Sequence, residues 1–249
     1  MNRKLRDTVL IIATIITVMS VIIGNFITVN SECKILEKPF FGGGHHDVEQ
    51  TIDGDIREIK MDMDIADVVI EKGDENSVSF SSSRTNNPKY EFKDGVLSIV
   101  ASKNIKISPF NKNASDVVIK VKNDVENIDI QLDVGSLAIK NIAVKNYSSL
   151  VNMGDIEISN SKIENITVNG DLGDIDIDDV DFLTGEVKSS AGDVNIELPF
   201  DDKEYSLDVK VDFGEVTVGG HKAGNQFQTF DGMRTLKVTL DMGDLDIRY

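Results

Sequence analysis

The chain has no tryptophan, one cysteine, three histidines and four prolines. A single cysteine excludes an internal disulfide and, with it, the disulfide-stapled scaffolds. Without tryptophan the usual stacking platform for sugars is gone, and aromatic residues make up only 6% of the chain. Few histidines and cysteines leave few of the usual nucleophiles, bases and metal ligands. Basic residues are also short: 26 Lys and Arg against 43 Asp and Glu, a formal net charge of −17. Nucleic-acid binders need a basic face to displace phosphate counterions, so that class is excluded. What remains is 249 residues, 40% of them hydrophobic and regularly patterned. That length makes one or two folded domains, and the patterning argues against disorder.

Charge and hydropathy are segregated at the amino terminus. Arg3, Lys4 and Arg6 precede a 21-residue run, Val9 to Val29, that carries no charge. Such a run is long enough to cross a bilayer as a helix, and the basic residues before it place the amino terminus in the cytoplasm. The expected organisation is a basic cytoplasmic segment (1–8), a transmembrane anchor (9–29), a linker (30–47) containing Gly42-Gly43-Gly44, and an extracytoplasmic domain (48–249). The competing reading is a signal peptide cleaved near Ser31, which would release the domain. Glu32 stands immediately before Cys33, where lipoprotein processing requires a small residue, so lipidation is not expected. The charge of residues 1–8 is +2, leaving −19 on the remainder. An acidic domain of that kind repels anionic lipid and favours cations, cationic peptides or basic patches on envelope proteins.

A motif recurs along the domain: DVGSLAI at 133–139, NMGDIEI at 152–158, DLGDIDI at 171–177, SAGDVNI at 190–196, DFGEVTV at 212–218 and DMGDLDI at 241–247. The glycines are spaced 19, 19, 19, 22 and 29 residues apart. Counted from each glycine, positions −7, −5, −3, −1, +2 and +4 tend to be apolar. Ile59, Met61, Met63, Ile65, Val68 and Ile70 fit the same frame, with Ala66 at the glycine position. Period-2 alternation predicts strands with one buried face. The alternation slips by one residue at the glycine, which predicts a corner or bulge there. Nineteen residues is too short for a βαβ unit, and a lone repeat cannot bury its own apolar face. The expected fold is therefore all-β: a parallel β-solenoid, one repeat per coil, with the transmembrane helix before it. An antiparallel β-sandwich is the alternative.

The stretch 71–127 fits the frame less well. Asp94-Gly95 between apolar runs reads as a hairpin or a degenerate coil, and Ser115 to Ile119 as part of another coil. The last coil ends at Tyr249 with no evident cap, which predicts an open edge available for pairing.

A basic start, one apolar span and repeats of the form S/D-x-G-D-[IV]-x-[IV] resemble the bacterial putative-adhesin family of β-strand repeats. That is a domain of unknown function found in envelope proteins. The resemblance covers roughly residues 48–249, judged from the repeat period. It implies a solenoid fold and a role at the cell envelope, in adhesion or envelope stress. It brings no catalytic residues with it.

The residues following the glycines, Asp155, Asp174, Asp193, Glu215 and Asp244, would form an outward acidic column. A second column would hold Asp133, Asn152, Asp171, Ser190, Asp212 and Asp241. Like charges about 5 Å apart repel by roughly 1–3 kcal/mol at intermediate dielectric, so something must relieve them. A bound divalent cation along the first column is one candidate. The plainer reading is that Asp and Asn satisfy turn backbone beside each glycine. Neither the calcium nonapeptide nor an EF-hand loop occurs. His45-His46 and His221 lack metal-ligand spacing, and Ser81-Ser82-Ser83 lacks a nucleophile-elbow setting. Paired carboxylates come with stacking in any solenoid, so their separation does not mark a glycosidase. The sequence thus predicts a non-catalytic binding protein that needs no cofactor. A passive surface spacer and a carbohydrate-active enzyme are the alternatives.

Overall fold

The computed structural model describes residues 46–82, 88–100 and 115–249. The expected anchor at 9–29, Cys33, the 42–44 glycines and His45 lie outside the described residues. Among the described residues no helix is long and apolar enough to cross a membrane. Strand His46–Thr51 already contains the last two residues of the expected linker.

Alternation builds walls, and breaks in alternation build corners. In the coil 143–161, Val144, Tyr147, Ser149, Val151, Ile156, Ile158, Ser159 and Ser161 are buried. Lys145 and Asn146 are both exposed, so the wall turns there. It turns again around Gly154 and again at Asn160, giving three short walls per nineteen-residue coil. The Asn160 corner repeats at Asn141 and Asp179, all with left-handed φ between 48° and 56°. Asn and Asp accept that conformation better than other side chains because they bond locally.

Gly154 shows why the first corner demands glycine. Its φ is +141°, and a Cβ there would collide with the Gly135 carbonyl of the coil below. Its amide donates to the Leu172 carbonyl of the coil above at 2.8 Å, and the Gly173 amide donates to Ala191 at 3.0 Å. At the third corner Asn146 Nδ2 donates to Asn127 Oδ1 and Asn165 Nδ2 to Asn146 Oδ1, both at 2.9 Å. Thr184 closes this ladder on Asn165 at 2.6 Å.

The strands pair in parallel, coil on coil, as a solenoid requires and a sandwich does not. The spatial order is 96–100 with 115–121, then 58–72, 125–140, 143–159, 162–178, 184–197, 234–248 and 205–218. Chain order is broken at both ends. Strands Val96–Val100 and Ser115–Val121 lie outside 58–72, which precedes them, and the final coil 234–248 is inserted between 184–197 and 205–218.

This corrects the expected open edge at Tyr249. Strand Leu245–Arg248 is paired on both sides, with Val194–Glu197 and with Val216–Val218. The spatially last coil is 205–218, and it is covered in part by antiparallel strands His221–Gly224 and Gln226–Gln228. The other end is closed likewise. Lys89–Lys93 forms a hairpin with Val96–Val100 around Asp94-Gly95, and Ser77–Ser82 runs antiparallel to Ser115–Val121 and to His46–Thr51. The 90–99 stretch is therefore both hairpin and coil: its first strand caps, its second stacks. Capping edges with short antiparallel pieces prevents edge-to-edge aggregation.

Each crossover is pinned by a polar side chain. Asn76, buried, donates from Nδ2 to the Gly54 carbonyl and accepts the Lys122 amide on Oδ1, both at 2.7 Å. At the other end Arg234 bonds Asp181 and the Phe182 carbonyl, each at 2.5 Å, and lies 4.2 Å over the Phe200 ring. Phe182, Phe200 and Tyr205 pack together there, and burial pushes the Tyr205 phenol up to about 12.

Gly154→Ala forces both a strained φ and a backbone collision, so it is expected to cost more than about 3 kcal/mol. Gly220→Ala, with φ +76° but nothing within 4 Å of the added Cβ, is expected to cost only about 1–2 kcal/mol. Thermal unfolding of the two variants side by side measures the difference.

Candidate functional site

The glycine corner organises the most regular outer surface of the molecule. Asp155, Asp174, Asp193, Asp244 and Glu215 do form a column, in that spatial order, continued from Asp67 and Ser136 at the other end. The structure explains how like charges tolerate that stacking. Asp155 Oδ1 accepts the Asp174 amide at 3.0 Å, and Asp174 Oδ1 accepts the Asp193 amide at 2.8 Å. The Asp193 and Asp244 carboxylates accept the Asp244 and Glu215 amides in turn, both at 2.9 Å. Each carboxylate thus replaces a ladder bond that the corner would otherwise leave open. The repulsion is still felt: the Asp174 carboxyl is pushed above its usual range, first by burial and then by Asp155, Asp193 and Asp176, with the Asp193 amide opposing.

The column is therefore turn chemistry first. Among the described residues no three His, Cys, Asp or Glu side chains converge in a way that could hold a metal ion. His221 is exposed in the capping strand His221–Gly224, opposite Val218, with no acidic, histidine or cysteine set around it that could hold a metal ion among the described residues. In the second column Asn152 donates to Asp133 at 2.9 Å, and Lys210 pairs with Asp212 at 2.5 Å.

One expectation about this corner is overturned. The apolar residues at −1 are not inside. Val134, Met153, Leu172, Met242 and Phe213 are 39, 39, 37, 49 and 73% exposed, and Ile65 and Ala191 are half-buried in the same line. Cα pairing joins Ile65, Val134, Met153, Leu172, Ala191, Met242 and Phe213 into one continuous stripe. The wall ends at −3, so both −2 and −1 lie on the outside of the bend. The strict period-2 count, run through the corner, put −1 on the wrong face. Acidic columns at −2 and +1 flank the stripe on either side. Next to it, an open groove crosses five coils, lined by Asp129, Leu150, Asn169, Lys188 and Thr239 among others.

Residues 56–248 match the Toastrack DUF4097 family. The chain belongs to that family. No curated protein matches it. Solved structures similar to this Toastrack chain include a putative cell adhesion protein from Clostridium sporogenes, at 16% identity over 82% of this chain and 99% of that one, with a TM-score of 0.46. A putative adhesin from Bacteroides fragilis is 12% identical, over 83% and 98%, with a TM-score of 0.46. A putative adhesin from Parabacteroides distasonis is 14% identical, over 82% and 97%, with a TM-score of 0.39.

Because Asn offers the same acceptor without charge, Asp174→Asn is expected to keep or slightly raise stability, whereas Asp174→Ala loses the acceptor and costs about 1 kcal/mol. The raised folded-state pKa fixes the pH sign. The Asp174 contribution is favourable below the unfolded-state pKa and is lost as pH rises through the folded one. Denaturant titrations of parent and Asp174→Asn on both sides of that window should converge in acid and separate at neutral pH. With its Oδ1 atoms engaged, the column should give no saturable rise in Tm with millimolar calcium or magnesium. A rise abolished by Asp155→Asn with Asp193→Asn would make it a cation site instead.

Proposed function

We propose that this Toastrack protein is a non-catalytic binding scaffold of the bacterial cell envelope, anchored by residues 9–29 with its solenoid outside the cytoplasm. The observation that carries the non-catalytic part is the column arrangement. Catalysis needs unlike groups converging on one reacting atom. Stacking here sets like beside like: carboxylate on carboxylate, amide on amide, apolar on apolar. Such a surface offers a repeated, rigid pattern, suited to binding an extended partner at many equivalent points. It needs no cofactor.

Location rests on the charge step at the amino terminus. Arg3, Lys4 and Arg6 hold one end inside, and the 21-residue run spans. The acidity of the remainder supports an external place beside anionic lipid, since it keeps the solenoid off the membrane surface. The resemblance to envelope β-strand repeats supports a part in adhesion or envelope stress.

Expressed with a carboxy-terminal tag in a bacterial host, the full chain should pellet with membranes, resist a carbonate wash and keep the mass of the whole chain, 27.4 kDa plus the tag. Protease added to intact spheroplasts should remove the tag. A protected tag or a cytosolic chain would overturn the location. A shortened chain in the medium, beginning near Ser31, would replace the anchored form with a secreted one.

A further inference from the structure

We propose that the apolar stripe at the glycine corner is the docking seat for a basic amphipathic helix of another polypeptide. The inference rests on the reading that the solenoid acts by binding, and it names the surface and the partner.

Scattered exposed apolar residues need no explanation, but a continuous line rimmed by polar groups does. Val134, Met153, Leu172, Met242 and Phe213 lie on one such line, joined by strand register. The corner itself does not require them. Its geometry is set by the glycine and the carboxylate ladder, and the neighbouring outward position at −2 is mostly Asp. Outward apolar side chains at this one position are thus available for a partner.

Charge selects the partner. Carboxylates line both sides of the stripe. Among the described residues only Lys210 and Lys222, at the outermost coil, neutralise any of them, by pairing with Asp212 and Glu215. In the ladder, Oδ1 of Asp155 and of Asp174 takes an amide, and the second oxygen of each is left for a lysine or arginine of the partner. A second copy of this chain would set carboxylates against carboxylates, and an anionic bilayer would be repelled on both flanks. A polypeptide with an apolar line and Lys or Arg on either side of it meets all three stripes at once.

Length agrees. Six steps of ~4.8 Å make a stripe about 29 Å long. A helix of about 19 residues covers the same distance at ~1.5 Å per residue. Its apolar side chains recur every turn, ~5.4 Å, close to the coil spacing. The mode is that of a helix laid along an apolar track, with charge setting encounter and register.

The test uses the full chain in phosphatidylcholine nanodiscs. The probe is a fluorescent 19-residue peptide with one leucine line, lysines on both flanks and alanine elsewhere. A scrambled isomer of identical composition is the control. The expected result is binding at least tenfold tighter for the amphipathic peptide. Met153→Ser with Leu172→Ser should remove that advantage at unchanged Tm, and so should Phe213→Ser for the outer end of the seat. Asp133→Asn with Asp171→Asn should flatten the salt dependence. Equal binding of the two peptides, or stripe variants that bind like the parent, would overturn the seat while leaving the wider binding reading in place. Stripe-dependent capture of anionic vesicles in preference to the peptide would overturn the choice of partner. The spheroplast experiment decides the location separately.

Discussion

Nothing larger than a hydrogen atom fits between one glycine corner and the next. A Cβ on Gly154, Gly173, Gly192 or Gly243 would collide with the glycine carbonyl of the adjacent coil. That close approach fixes the rise, aligns the corner amides and carbonyls, and brings each Asp carboxylate to the amide of its neighbour. The buried Ile, Val and Leu columns then supply the favourable free energy, about 1.5–3 kcal/mol per fully buried side chain. They would do so at many registers. The corner selects one.

The same rigidity makes columns out of residues. Whatever stands at a position in one coil stands on its equivalent in the next, so a single substitution has two neighbours of its own kind. Carboxylates gain from this only because the ladder gives each one an amide. Asparagines gain because each amide both donates and accepts, as from Asn127 through Asn146 to Asn165. Apolar side chains at −1 line up in the same way but face water.

Much of this was legible in the sequence. The glycine spacing predicted the coils, the slip in alternation predicted the corner, and the Gly-Asp pair predicted turn chemistry there. Several features were not read. The Asn ladder and the left-handed corner at Asn141, Asn160 and Asp179 recur at the same 19-residue period, and a search for polar columns would have found them. The stripe was misplaced because period-2 counting assumes a straight strand. Inside the core, Tyr147 and Ser149 occupy inward positions where the frame predicts aliphatics. Their hydroxyls are close enough for Ser149 to soften the upward push of burial on the Tyr147 phenol, yet they form no well-aligned hydrogen bond. Coil order was illegible for a different reason. The 205–218 and 234–248 repeats carry equivalent frames, and only the irregular spacings of 22 and 29 hinted at a detour.

That detour sets a timing problem for a chain that emerges amino terminus first. The 58–72 coil has two free edges, so strands 96–100 and 115–121 take one and 125–140 the other without waiting. At the other end, 205–218 appears while the edge of 184–197 is still vacant, and its pattern fits that edge. The coil that belongs there, 234–248, has yet to be made. The early arrival must stand off or be displaced, and in either case the stack closes in two stages rather than one. The apolar edge of 184–197 therefore stays without its own partner until the last residues of the chain are made.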